Sequence, residues 1–151
     1  MCCNKLKLIL PDVKDVCISN STVAQENGKK ITFKSCKSDD ICKLKVDNCH
    51  LSSDSHKKCD YLFFICSKNE MHFVELKGTD VETACQQIVK TYDIIHSDLS
   101  KNCCKVIPNY KAHLVSSSVP NATEIKFRKL QEKILKEKSL LIKKYHKQHT
   151  I

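Results

Sequence analysis

Apolar and polar residues alternate in period two through Cys42, Leu44 and Val46, which predicts a half-buried strand over 41–51. Residues 61–66 form a nearly continuous apolar run, as expected of a strand covered on both faces. A third strand follows over 71–77 and stops at Gly78. The connections are short, so the three strands are expected to form an antiparallel meander. Val81, Ala84, Cys85, Ile88, Tyr92 and Ile95 then recur at helical spacing and make one apolar stripe. Thr79 and Glu82, three residues apart, fit a capping box at the entry to that helix. Residues 96–110 are polar, contain Pro108 and read as a loop. A fourth strand is predicted over 111–117. Pro120 opens a second helix with Phe127, Leu130 and Ile134 on its apolar face, and 140–142 reads as a last strand.

The N-terminal third is less regular. Leu6, Leu8 and Leu10 alternate up to Pro11, which fits a short strand or an irregular lead-in. Residues 19–30 are rich in Ser, Asn and Lys, contain Gly28 and read as a loop. Ile31 and Phe33 mark another short strand, and 38–40 a turn. The main order is β-β-β-α-β-α-β. It implies an α/β (α+β) fold with a mixed central sheet: the meander, a crossover helix, a fourth strand, then a C-terminal helix and strand. A chain of 151 residues is expected to form one domain over 1–151, large enough to bury a core without staples.

Composition supports a folded, water-exposed chain, with 41% hydrophobic and 28% charged residues. No apolar run approaches the roughly 20 residues that span a bilayer. The first residues lack an apolar signal core, so a cytoplasmic location with no membrane partner is expected. Eleven cysteines are present. Their odd number and the sufficient core favour reduced thiols, several of which, such as Cys66 and Cys85, replace small hydrophobes. Cys2-Cys3 and Cys103-Cys104 fall in polar stretches and read as exposed thiols.

The formal charge of +9 favours a polyanionic partner. Residues 124–149 hold nine Lys or Arg against three Glu. Lys126, Lys129, Lys133 and Lys136 line one side of the second predicted helix and are candidates for gripping the phosphates of nucleic acid.

Three residues carry candidate chemistry. Asp60 opens the strand 61–66, and Glu75 and Lys77 end the next strand two residues apart, hence on one face. A tight hairpin brings Asp60 beside them. Two adjacent carboxylates invite a hard cation, Mg²⁺ or Mn²⁺. The plain alternative is an exposed Glu75–Lys77 ion pair with Asp60 capping a loop. Asp47, in the strand 41–51, is a further carboxylate that reads either as part of the cluster or as a turn former, the latter being favoured.

The stretches Cys59-Asp60-Tyr61-Leu62-Phe63-Phe64 and Phe73-Val74-Glu75-Leu76-Lys77-Gly78, followed by a helix, resemble the PD-(D/E)XK (restriction endonuclease-like) nuclease superfamily. The resemblance covers about residues 41–118. It implies a Mg²⁺-dependent nuclease (an endonuclease or other deoxyribonuclease, a hydrolase of phosphodiester bonds) that binds DNA, in some relatives as a homodimer. It assigns Asp60, Glu75 and the carbonyl of Leu76 to the metal, and makes Lys77 the catalytic lysine. Exonuclease-like branches add a Gln on the next helix, matched by Gln87 in preference to Gln86. Their Tyr four residues later is replaced by Thr91, with Tyr92 adjacent. No Pro precedes Asp60, and for the extra upstream Glu only Glu26 offers itself.

Two other readings stay open. A nuclease fold without turnover would bind nucleic acid or a protein partner. A zinc-stabilised interaction domain would use Cys36, Cys42, Cys49 and Cys59 with His50 and His56, although the paired spacing of zinc knuckles is missing.

Overall fold

The computed structural model describes residues 1–34, 36–51, 57–102 and 106–151. The main strands follow the sequence pattern closely. Strand β4 (Ile41–Lys45), β5 (Tyr61–Ile65) and β6 (Glu70–Leu76) form the antiparallel meander. Helix α2 (Val81–Lys101) crosses over to β7 (Asn109–Ser116), which pairs with β6 in parallel. Helix α3 (Asn121–Lys138) then leads to β8 (Ile142–His146), parallel to β7. The two-residue strand β1 (Ile18–Ser19) completes a six-stranded mixed sheet in the order β1-β4-β5-β6-β7-β8. The α/β class expected from the sequence is the one observed.

A second, three-stranded sheet was not expected. Strands β2 (Val23–Glu26) and β3 (Lys29–Thr32) form a hairpin, and β9 (Gln148–Thr150) adds to β3 in parallel. The turn residues Asn27 and Gly28 both have positive φ, a conformation that Asn and Gly adopt most readily. The polar stretch read as a loop is therefore half strand. Its strand character is hidden because Ala24 is the one fully buried residue of β2.

This small sheet explains the run 61–66. On β5, Leu62 and Phe64 pack on the helix side, against Ala84, Ile88 and Leu6 among others. Tyr61, Phe63 and Ile65 pack on the opposite side, with Ile31 and Phe33 of the small sheet. The large sheet is covered on both faces, so its central strands need apolar residues at every position.

Other boundaries differ from expectation. The N-terminal lead-in is a helix, α1 (Cys2–Ile9), that buries Cys2, Cys3 and Leu6. Helix α2 is capped by Asp80, whose side chain accepts from the Thr83 N–H at 3.1 Å, and not by the Thr79–Glu82 box. It also runs on through residues 96–101, because Leu99 continues the stripe from Ile95. The last strand begins at Ile142, with Leu140 buried before it.

The cysteines overturn the expectation of reduced thiols. Among the described residues, three disulfides link Cys2 to Cys66, Cys3 to Cys42 and Cys17 to Cys49. Together they staple α1 and the turn Asp15–Cys17 to the β4–β5 side of the sheet. Cys2 and Cys3 are thus buried and paired, not exposed. The zinc cluster fails with them, since Cys42 and Cys49 are consumed in bridges, and His56 lies outside the described residues. Cys59 and Cys85 are free and buried, and Cys103 and Cys104 lie outside the described residues.

Under the small sheet runs a buried polar ladder. The Glu70 carboxylate accepts from His72 Nε2 at 3.1 Å, which makes His72 Nδ1 the acceptor for His113 Nε2–H at 2.9 Å. His113 Nδ1 in turn accepts from the Tyr145 hydroxyl at 3.3 Å. Burial holds both imidazoles neutral, pushing His72 down to about 4, while His113 falls to about 3 with the added charge of His72.

No helix among the described residues is long and apolar enough to cross a membrane.

Candidate metal centre and its flanking groove

Asp60 immediately precedes β5, and Glu75 is the penultimate residue of β6. The antiparallel register pairs Tyr61 with Val74, which sets Asp60 directly across from Glu75. Alternation along β6 sends Phe73 to the helix side and Val74 and Leu76 to the small-sheet side. Glu75 shares the direction of Phe73 and is only 2% exposed.

Hydrogen bonds lock the pair. The Asp60 N–H donates to Glu75 Oε2 at 3.0 Å, and the Leu76 N–H donates to Asp60 Oδ2 at 2.8 Å. Leu76, expected as a carbonyl ligand, ends β6 beside both acids. The charges of the two acids oppose each other in a site with little water. Burial, then the Asp60 charge, pushes the Glu75 carboxyl well above the usual carboxylate range. Burial also raises Asp60, and Glu26 and Asp47 add to the rise against the Leu76 N–H bond and the Lys77 charge.

Lys77 and Gln87 join the pair from one side. Lys77 Nζ donates to Gln87 Oε1 at 3.1 Å, while Gln87 Nε2 donates to the Lys58 carbonyl at 3.1 Å. Gln87 is thereby fixed at both ends, and its place on the buried face of α2 follows from the helical stripe. Gln86 is exposed. Tyr92 turns instead towards α3, its hydroxyl donating to the Lys138 carbonyl at 3.4 Å.

Thr91, which stands where the exonuclease-like pattern has Tyr, has a role that the sequence reading missed. Its Oγ1 accepts from the Cys59 N–H at 2.9 Å and donates to the Gln87 carbonyl at 2.8 Å. The backbone just before Asp60 is therefore pinned to α2. Lys58 was missed as well: it is 1% exposed, and its N–H faces Asp47 Oδ1 at 3.4 Å. The signal for both was their spacing from Asp60 and Gln87, with Thr91 one helical turn past Gln87.

Two further acids approach the pair. Asp47 lies beyond the end of β4, in a turn with an isolated bridge to Leu51, which matches the favoured turn-forming reading and not the strand position. Glu26, at the end of β2, accepts from the Tyr61 hydroxyl at 2.6 Å. The described residues contain no group of three or more His, Cys, Asp or Glu arranged to hold a metal ion.

A groove of about 590 Å³ opens between the start of α2 and α3. Thr79 to Glu82 form one wall, and Lys126, Lys129 and Lys133 stand on the other with Phe127 and Leu130. Lys136 is exposed one turn beyond the groove. The wall of the groove begins at Thr79, two residues after Lys77, and Asp60, Glu75, Lys77 and Gln87 do not line it.

No protein-family model, curated protein or solved structure matches the chain.

Proposed function

We propose that the chain is a metal-dependent nuclease of the PD-(D/E)XK type, hydrolysing phosphodiester bonds in nucleic acid, with DNA as the expected substrate. The observation that carries this reading is the cross-strand placement of Asp60 opposite Glu75 with the Leu76 N–H between them, flanked by Lys77 and Gln87. The donor set fits Mg²⁺ or Mn²⁺: the two carboxylates, buried and facing each other across the strands, offer hard oxygens. When bound, such an ion activates a water and offsets charge building on the phosphate. Asp60 and Glu75 hold the site, and their own main-chain bonds fix its width. Lys77 brings a cation to the reacting phosphate, and Gln87 restrains the direction of that amine. Lys126, Lys129 and Lys133 hold the nucleic-acid backbone in the groove between α2 and α3 without reading sequence.

A second reading keeps the fold and the nucleic-acid groove but not the turnover. It is favoured by one observation, the lack of a third carboxylate, His or Cys in a metal-holding arrangement among the described residues. The cytoplasmic location expected from the sequence rested on the lack of an apolar signal core and of a membrane-spanning run. Three disulfides support an oxidising compartment in its place.

The test is a cleavage assay on single- and double-stranded DNA and on RNA, with Mg²⁺, Mn²⁺ or EDTA. Wild type is expected to cut only with a divalent ion. Asp60→Asn, Glu75→Gln and Lys77→Ala are expected to keep a native circular dichroism spectrum and lose cleavage. Equal cutting by all four proteins refutes the assignment, and metal binding without any cutting selects the second reading.

A further inference from the structure

The disulfide between Cys17 and Cys49 ends in the turn that borders the carboxylate pair. That turn is built on Val46: the Cys49 and Leu51 N–H groups donate to the Val46 carbonyl at 3.3 and 3.0 Å. Asn48 takes a left-handed conformation in the middle of it, with φ 58°. The same turn touches the site twice. The Val46 N–H donates to the Asp60 carbonyl at 2.9 Å, and Asp47 Oδ1 accepts from the Lys58 N–H. Asp47 is close enough for its charge to act on both Asp60 and Glu75.

The other two bridges are placed differently. Cys3–Cys42 is buried at both ends, and Cys2–Cys66 joins α1 to the far end of β5, where the strand runs out away from Asp60. Of the three, Cys17–Cys49 alone ends in the segment hydrogen-bonded to Asp60; Cys49 is part-buried, as is Cys66, and Cys17 is buried.

Resting on the metal-site reading above, we propose that the Cys17–Cys49 bridge is a redox control on the cation affinity of the Asp60–Glu75 pair. The bridge ties the turn 46–51 to the stapled N-terminal segment, and the turn in turn fixes the Asp60 backbone and the distance of the Asp47 charge. Reduction by an external dithiol breaks the S–S bond with two electrons and two protons. Cys17 and Cys49 become thiols, and the reductant closes its own disulfide. The freed turn then holds Asp60 less firmly. Outer groups that orient metal ligands are worth roughly 10–100-fold in affinity, which sets the size of the effect. The site is therefore strong in oxidising surroundings and weak under reductants.

The experiment measures Mn²⁺ binding by calorimetry for three full-length proteins: wild type, Cys17→Ser/Cys49→Ser and Cys3→Ser/Cys42→Ser. Amide hydrogen exchange at Asp60 and Leu76 is followed in parallel. Loss of the Cys17–Cys49 bridge is expected to weaken Mn²⁺ binding about tenfold or more and to speed exchange at both amides. The Cys3–Cys42 variant is expected to lower thermal stability with Mn²⁺ affinity within twofold of wild type. If wild type binds Mn²⁺ and the Cys17→Ser/Cys49→Ser protein binds it equally well, the redox control is overturned and the metal site stands. Wild type that binds no Mn²⁺ overturns both. Where the variant does not fold, wild type is reduced stepwise with dithiothreitol, and the opened bridge is mapped by alkylation and mass spectrometry. Simultaneous opening of all three bridges with global unfolding also overturns the proposal.

Discussion

Gln87 receives the Lys77 ammonium on its side-chain oxygen and spends its nitrogen on the Lys58 carbonyl, so one amide ties the amine of β6 to the strand entry carrying Asp60. The orientation of Gln87 is thereby determined on chemical grounds, since only the oxygen can accept from an ammonium. Replacing Gln87 with Ala leaves Lys77 without this restraint. Cleavage by Gln87→Ala is expected to fall about 10–100-fold in kcat with little change in KM, as for loss of an interaction that matters at the transition state. Steady-state kinetics on a short DNA duplex provides the check. The loss of one hydrogen bond to a buried carbonyl costs about 1 kcal/mol of stability, read by urea titration.

The carboxylate pair predicts an unusual pH profile for the metal-free protein. Glu75 is pushed up to about 8, and Asp60 shifts the same way, so the folded state holds protons that the unfolded chain gives up near 4.5. The stabilisation is complete below the unfolded value and is lost as pH rises through the folded one. In EDTA the thermal midpoint is expected to fall between about pH 5 and 8, with Mg²⁺ flattening the decline. Glu75→Gln is expected to remove most of the slope. A midpoint that is flat in EDTA and unaffected by Glu75→Gln contradicts this account.

The histidine ladder predicts the opposite arm. His72 and His113 stay neutral when folded, whereas the unfolded imidazoles take up protons near 6.5. Their contribution is present above that value and drains away as pH falls towards 4. Acid titration followed by circular dichroism is expected to show destabilisation below about pH 6. In His113→Phe the loss between pH 6 and 4 is expected to be shallower.

The α3 lysines predict a salt effect. Each phosphate contact adds roughly 0.7–0.9 to the slope of log affinity against log salt. Changing Lys126, Lys129 and Lys133 together to Gln is expected to reduce that slope by about 2–3. Lys136→Gln, beyond the groove, is expected to change it by less than one contact. Fluorescence anisotropy with a labelled oligonucleotide at several salt concentrations measures both.

The hairpin carrying the site was legible because its signals are local. Period two on 71–77 fixed the face shared by Glu75 and Lys77, and the short turn at 67–69 fixed their partner strand. Leu6, Leu8 and Leu10 alternate like a strand, but the buried face of α1 is made by Cys2, Cys3 and Leu6, and two of those three are cysteines held by disulfides. The disulfides were invisible for a different reason: their partners lie 64, 39 and 32 residues apart, and no pattern along the chain encodes such pairings. The small sheet was hidden because strands at its rim bury few side chains, and β3 gets its parallel neighbour from the far end of the chain. The support of Asp60 by Thr91 and the Val46 turn is tertiary, made by residues that carry no motif of their own.

Strand β9 aligns Gln148, His149 and Thr150 with Lys30, Ile31 and Thr32. On a ribosome, the β2–β3 hairpin emerges well before β9, the strand that seals its open edge. Until then Ile31 and Phe33 have an incomplete roof, and the aromatic faces beneath them are open to other chains. Deleting residues 148–150 is therefore expected to leave that edge unpaired and the protein prone to self-association through it.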